Sequence, residues 1–297
     1  RRCDATISCF LHTIDPRGTF EVSAEASEAV LEKLYSEPGF GIWVGLFRDM
    51  LTDPAANAIV SDFIARKIRS RVKDPATAEK LIPKNHGFGT RRVPLETRYY
   101  EVYNQPNVTL VDIKATPIER ITPTGIRTTD AEYAFDIIVF ATGFDALTGS
   151  FDRIDIRGKD GRSLKDAWAG GARTLVGMLA DGDFPNLLML LGPHTALGNI
   201  PRSIEYNVDW VTRLLRHMRQ QGLTHVAAKP DAVATWMDHV MAVSEGLLSN
   251  QVDSWFTGVN SNVEGKQTRT IARYSGSAPE YRARCEEIAA AGYPELA

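Results

Sequence analysis

Cysteine is scarce in this chain. Cys3, Cys9 and Cys285 are the three in 297 residues, odd in number, widely spaced and without a C-x-x-C pair, so neither a disulfide framework nor a thiolate zinc site is indicated. The six histidines show no H-x-x-x-H or H-E-x-x-H spacing, which makes metal catalysis a poor reading. No excess of one charge exists either. Lys and Arg number 34 against 37 Asp and Glu, a net charge of -3, and this gives no general electrostatic reason to expect nucleic acid or a membrane surface as partner. No run approaches the roughly 18 uninterrupted apolar residues of a membrane span. The opening Arg1-Arg2-Cys3-Asp4 lacks the apolar core of a signal peptide, so the expected location is cytoplasmic. No G-x-S-x-G elbow offers a hydrolase nucleophile. Most informative is the lack of any G-x-G-x-x-G between a strand and a helix, the turn that receives a dinucleotide's pyrophosphate.

What is present suits a soluble globular chain of one large or two smaller domains, 43% hydrophobic and 24% charged. Asp136-Ile137-Ile138-Val139-Phe140-Ala141-Thr142-Gly143 reads as a strand buried on both faces, as in a parallel sheet, ending in small residues that let a backbone or a flat ligand approach. A plain core strand followed by a turn is the alternative reading of the same residues. Phe184-Pro185-Asn186 through Leu191-Gly192-Pro193 reads as a second such strand, and the loop His194 to Asn199 at its end is placed to receive a ligand. Shorter strands are expected at Asn107–Asp112, Thr116–Ile121 and Ile154–Gly161.

Helices are announced by their caps: Ser23 before Ala24–Leu34, Asp53-Pro54 before a long helix reaching Val72, and Asp74-Pro75 before a third. Arg66, Lys67, Arg69, Arg71 and Lys73 crowd the end of the long helix and read as a solvated face. Further helices are expected from Pro201 to Leu215, from Asp209 to Gln220, from Asp231 to Leu248 and from Ala278 to Tyr293, with Trp168 as packing.

Two loops break this pattern. Phe88-Gly89-Thr90-Arg91-Arg92, followed by Tyr99-Tyr100-Glu101, joins a flexible bend to two arginines. Asn250 to Gly265 surrounds the bulky Trp255 and Phe256 with Gly, Asn, Ser and Asp. Read alone, the first is a surface arginine pair and the second a loop with something to bury.

These motifs, in this order along the chain, resemble those of the Baeyer-Villiger branch of the flavin-containing monooxygenases. The resemblance implies an α/β, Rossmann-like flavoprotein of two dinucleotide-binding domains with a helical insertion. Its N-terminal half would be missing here, with both phosphate loops upstream of Arg1. Residues 1–87 would be the helical insertion of the NADP domain, 88–143 the end of that domain, and 144–297 the C-terminal part of the FAD domain. The implied cofactors are FAD and NADPH, and the implied substrates a small-molecule ketone and molecular oxygen. Arg92 matches the active-site arginine and Arg91 the basic residue that holds the NADP phosphate. Ala141, Thr142 and Gly143 would line a cofactor, Gly192 and Asn199 the flavin, and Leu197 the substrate pocket. Trp255 would contact cofactor or substrate from a mobile loop that folds over the nicotinamide. Three departures are visible: Arg91 stands where Lys is common, Glu96 where Asp is usual, and Asn260–Lys266 is longer than the family's continuation. His194 invites a reading as a base, but the family does not rely on one there. An N- or S-oxygenating flavin enzyme and a cofactor-free fragment are the rival expectations.

Overall fold

Side-chain caps start the helices where the sequence places them. In the computed structural model, which describes residues 3–196 and 198–297, the Ser23 hydroxyl accepts from the Ala26 N–H and opens α1 (Ala24–Ser36). Asp53 opens α2 (Pro54–Arg71) and Asp74 opens α3 (Pro75–Leu81), each with proline in the first turn. Such caps are worth about 1 kcal/mol apiece. The apolar stripe of α2 then buries Val60 and Phe63, which with Leu31, Leu46, Phe47 and Met50 form one core, and Ile68, which joins a smaller one with Val72 and Ile82. Ser27 and Leu31 take the buried positions on α1. The basic face of α2 is locally neutralised: Arg66 pairs with Glu28, Lys67 with Glu32, Arg69 with Glu79, and Arg71 with both Glu96 and Glu101. Exposed pairs of this kind add little stability. Their consequence is that no free cationic patch remains on this face.

A second core gathers α4 (Ile200–Gln220), α5 (Pro230–Ala242) and α6 (Ala278–Ala290). Trp210, Leu214, Met218, Val233, Trp236, Tyr281 and Cys285 fill it. The two overlapping helices expected between Pro201 and Gln220 are one continuous helix, and Leu215 is exposed instead of joining its apolar face. α5 stops at Ala242, six residues short of expectation. Residues 3–9 pack on this core, since Cys9 is part of it and the carbonyls of Ile7 and Ser8 accept from Ala278 and Asn199. Trp168 packs in a smaller cluster beside Phe151, as expected.

The sheets are small and antiparallel. β1 (Ile118–Thr122), β2 (Gly125–Thr128) and β3 (Glu132–Ala134) form a meander. β4 (Thr174–Leu175) and β5 (Leu179–Ala180) form a hairpin.

Here the two principal strand expectations fail. Asp136 to Asp145 has no regular structure and joins no ladder among the described residues, and Ile137, Val139, Phe140 and Phe144 are 79%, 80%, 71% and 93% exposed. The cause is the want of partners: a strand of this composition is stable only between two neighbours and beneath helices, and the described residues supply neither. Phe184–Leu191 forms only the bridge from Leu188 to Leu179, with Leu190 exposed. Asn107–Asp112 is irregular, and in Ile154–Gly161 only Arg157 makes a bridge, to Ser163. The parallel sheet expected of the fold is therefore absent among the described residues.

Candidate active site

The bend before the arginine pair is held by groups on the helical core. Asn57, buried on the apolar stripe of α2, donates from its amide to the carbonyls of Phe88 and Met50 at 2.8 and 2.9 Å. One turn later, the Ser61 hydroxyl accepts from the Phe88 N–H at 2.9 Å. Trp43 donates its ring N–H to the Gly89 carbonyl at 3.3 Å. Gly89 has φ +75°, and a Cβ there would lie 2.9 Å from the Trp43 ring, so both conformation and contact require glycine. Asn57 and Ser61 did not stand out in the sequence; the usable signal was a polar residue at helical spacing inside an apolar stripe.

Arg92 leaves this bend over aromatic faces, its guanidinium 4.6 Å from the centre of Phe40 and 5.0 Å from Trp43. Its hydrogen bond goes to the Val93 carbonyl, and it has no carboxylate within ion-pair distance among the described residues. Burial pushes its pKa down, yet a guanidinium starts high enough to stay charged near neutral pH. Glu96, placed near the pair by sequence, is taken by Arg71, whose guanidinium holds the Glu96 carboxyl below its ordinary range.

Arg91 ties the bend to the tryptophan loop. Its Nη2 donates to the Asp253 carbonyl at 2.8 Å, and its buried Nε has no partner. The following turn is a closed motif in which Ser254 and Thr257 cap each other's backbone and Gly258 takes φ +69°. Trp255 is 36% exposed and meets Phe256 edge to face at 4.3 Å. Arg273 lies 4.1 Å over the other ring of this pair, Phe256, and donates to the Ser249 hydroxyl at 2.8 Å. Burial among these groups lowers its pKa to about 10.

A single segment joins this turn to the loop that begins at His194. The Thr257 carbonyl accepts from Thr270, the Ala272 carbonyl accepts from His194, and Ala196 bridges to Tyr274. Gly192 is buried, and a Cβ there would lie 2.5 Å from the Gly177 carbonyl, which gives this glycine a packing reason of its own. Asn199 precedes α4 without using its side chain as a cap. Leu197 lies outside the described residues. Ala141, Thr142 and Gly143 are exposed, with nothing near the position a Gly143 Cβ would take.

His194 is a strut. It is fully buried, with Nδ1 2.9 Å from the Thr174 hydroxyl and Nε2 2.8 Å from the Ile271 carbonyl. Burial lowers its pKa from 6.5 to about 4. The folded state therefore binds fewer protons than the unfolded one between these values, so stability is unaffected above pH 6.5 and falls as pH drops toward 4. Wild type is expected to lose on the order of 3 kcal/mol more than His194→Gln across that interval. Denaturant titrations at pH 7, 5.5 and 4.5 measure the difference, and parallel losses in both proteins would show that His194 is not buried in its neutral form.

No protein-family profile matches the chain. It is 44% identical over 97% of its length to 2-oxo-Delta(3)-4,5,5-trimethylcyclopentenylacetyl-CoA monooxygenase of Pseudomonas putida, covering 53% of that protein. It is 41% identical over 92% of its length to cyclopentanone 1,2-monooxygenase of a Comamonas species, covering 50%. The crystal structure of OTEMO in complex with FAD and NADP superposes with a TM-score of 0.93 at 43% identity, over 99% of this chain and 54% of that one. The relatives the chain matches include a Baeyer-Villiger monooxygenase of Pseudooceanicola batsensis, 36% identical over 97% of the chain. It spans about half the length of the curated relatives it matches. Because the superposition takes in 99% of this chain, the unpaired stretch 136–145 falls within it despite having no sheet around it. Among the described residues no helix is long and apolar enough to cross a membrane.

Proposed function

We propose that the chain is the C-terminal half of an FAD- and NADPH-dependent monooxygenase that inserts one oxygen atom beside a ketone carbonyl, giving an ester or lactone. The observation that carries this reading is the physical joining of the arginine pair to the tryptophan turn through Arg91 and the Asp253 carbonyl. Two motifs 162 residues apart are thereby held in one place. FAD and NADPH, when bound, supply the reducing equivalents and the activated oxygen. The residues present suit them: Arg91 has a buried N–H without an acceptor, which a phosphate oxygen would satisfy. Arg92 would supply the fixed positive charge that stabilises the oxyanion developing at the substrate carbonyl. Ala141, Thr142, Gly143, Gly192 and Asn199 would line the cofactors, Leu197 would form pocket wall, and Trp255 would close the site against water. The phosphate-binding glycine loops, and the sheet that the stretch 136–145 would enter, belong to a preceding half of the same protein. The working boundaries remain 1–87, 88–143 and 144–297.

A nitrogen-oxygenating enzyme is the second reading, because a phenazine N-monooxygenase of Lysobacter antibioticus is 37% identical over 92% of the chain. Incubating the full-length enzyme and NADPH separately with a simple cyclic ketone and with a heteroaromatic amine tests the choice. Ester or lactone from the first, without N-oxide from the second, is expected; the reverse would replace the proposal. Trp255→Ala should leave NADPH-dependent flavin reduction intact and raise hydrogen peroxide release severalfold. Unchanged coupling between NADPH consumed and product formed would remove Trp255 from its assigned role.

A further inference from the structure

The loop that follows Trp255 ends on a half-buried cation. Lys266 is 17% exposed, and its ammonium meets both Asp145 oxygens at 2.8 and 2.9 Å, Asp152 at 2.7 Å and the Thr148 hydroxyl at 3.0 Å. Asp145 and Asp152 are themselves only 11% and 20% exposed. Unlike most pairs along α2, which are largely open, these charges are half withdrawn from water and share one ammonium, so removing one member leaves the others without their partner. Burial opposes the charge on Lys266, but its two carboxylate partners outweigh it and the pKa is raised.

Local backbone geometry is arranged around the same point. Asn260 donates to the Lys266 carbonyl at 2.8 Å and closes the seven-residue loop at its neck. Gly149 opens the short helix Gly149–Asp152 directly beneath the Asp145 carboxyl, which a Cβ at that position would meet at 2.4 Å. Thr148 and Asp152 stand at the two ends of that helix and face the ammonium together. Asp145 is two residues beyond Gly143, and Lys266 is eleven beyond Trp255, so the cluster is the direct link between the Ala-Thr-Gly stretch and the tryptophan loop.

We propose that Lys266 is a positioning residue: through Asp145, Asp152 and Thr148 it latches the Trp255 loop to the chain leaving Gly143, and so sets where that loop stands over the site. The loop's extra length, which by itself would widen its range of conformations, is offset by this anchor. The inference rests on the proposed function only for what the latched loop does; the latch itself stands on the geometry of this chain.

Hydrogen exchange on the 297-residue chain tests the latch without cofactors. Lys266→Met is expected to speed exchange at least about tenfold in residues 258–266 and 145–152, leaving α2, α4 and α6 as in wild type. The double variant Asp145→Asn, Asp152→Asn should loosen the same two segments, which guards against a fault peculiar to the methionine. Unchanged exchange in both segments, or faster exchange spread evenly through the chain, would overturn the proposal. In the full-length enzyme, Lys266→Met should raise the fraction of NADPH oxidised to peroxide while the flavin-reduction rate and the KM for NADPH stay put. A loosened loop with unchanged coupling would leave the latch standing and retire the water-excluding role given to Trp255.

Discussion

Arg92→Ala in the full-length enzyme is expected to lower ester formation by about a hundredfold or more, while the protein still folds and still accepts electrons from NADPH. Removing one preorganised donor from a developing oxyanion typically costs that much. Folding should survive because Arg92 carries little of the packing. Its hydrogen bond is to the neighbouring Val93 carbonyl, and the rings it covers, Phe40 and Trp43, also contact each other. The absence of a carboxylate partner among the described residues favours a catalytic use, since a guanidinium held over two aromatic rings without an anion is available to one that arrives with the reaction. Arg92→Lys should recover only part of the rate, because a point charge on a flexible stem does not reproduce the planar fork. Turnover of a cyclic ketone is the measurement. Near-normal product formation in Arg92→Ala would refute the assignment.

The second large effect concerns the stretch from Asp136 to Asp145. In this chain alone its amides should exchange with little protection, because they make no ladder and its large side chains face solvent. With the preceding half present in the same polypeptide, the amides of Ile137 to Ala141 should gain protection on the order of a thousandfold as both edges become paired. Val139→Pro, which removes a ladder donor from a central strand, should cancel that gain and flavin retention with it, yet leave the cores of α2 and α4 unchanged. Exchange that stays fast after the preceding half is restored would show that the stretch is not a strand of the completed sheet. Alone, the chain presents contiguous Ile, Val and Phe on an unpaired backbone, so aggregation is an expected hazard of the isolated piece.

Helix starts were legible because their causes are local. Ser23, Asp53 and Asp74 cap within three residues of themselves, and proline fixes the first turn, so no distant neighbour is needed. The strand at 136–140 was misread for the opposite reason. Its composition describes an environment, burial between two neighbours, and the described residues do not supply that environment. The stretch at 184–191 shows the same weakness, since only Leu188 finds a ladder partner. The functional motifs were legible as short words in order, but their connections were not. Nothing near Arg91 in sequence points to Asp253, and nothing near Lys266 points to Asp145.

By itself the sequence determined the helical scaffold and the family resemblance carried by the arginine pair, the Ala-Thr-Gly stretch and the Asp-Ser-Trp turn. Tertiary structure alone decided that His194 is a strut, that Asn57 and Ser61 hold the bend before the arginines, and that Lys266 meets Asp145 and Asp152. The division has a physical basis. Caps and turns are settled by atoms a few residues apart, whereas burial, ion pairing and strand pairing depend on which distant segments the chain brings together.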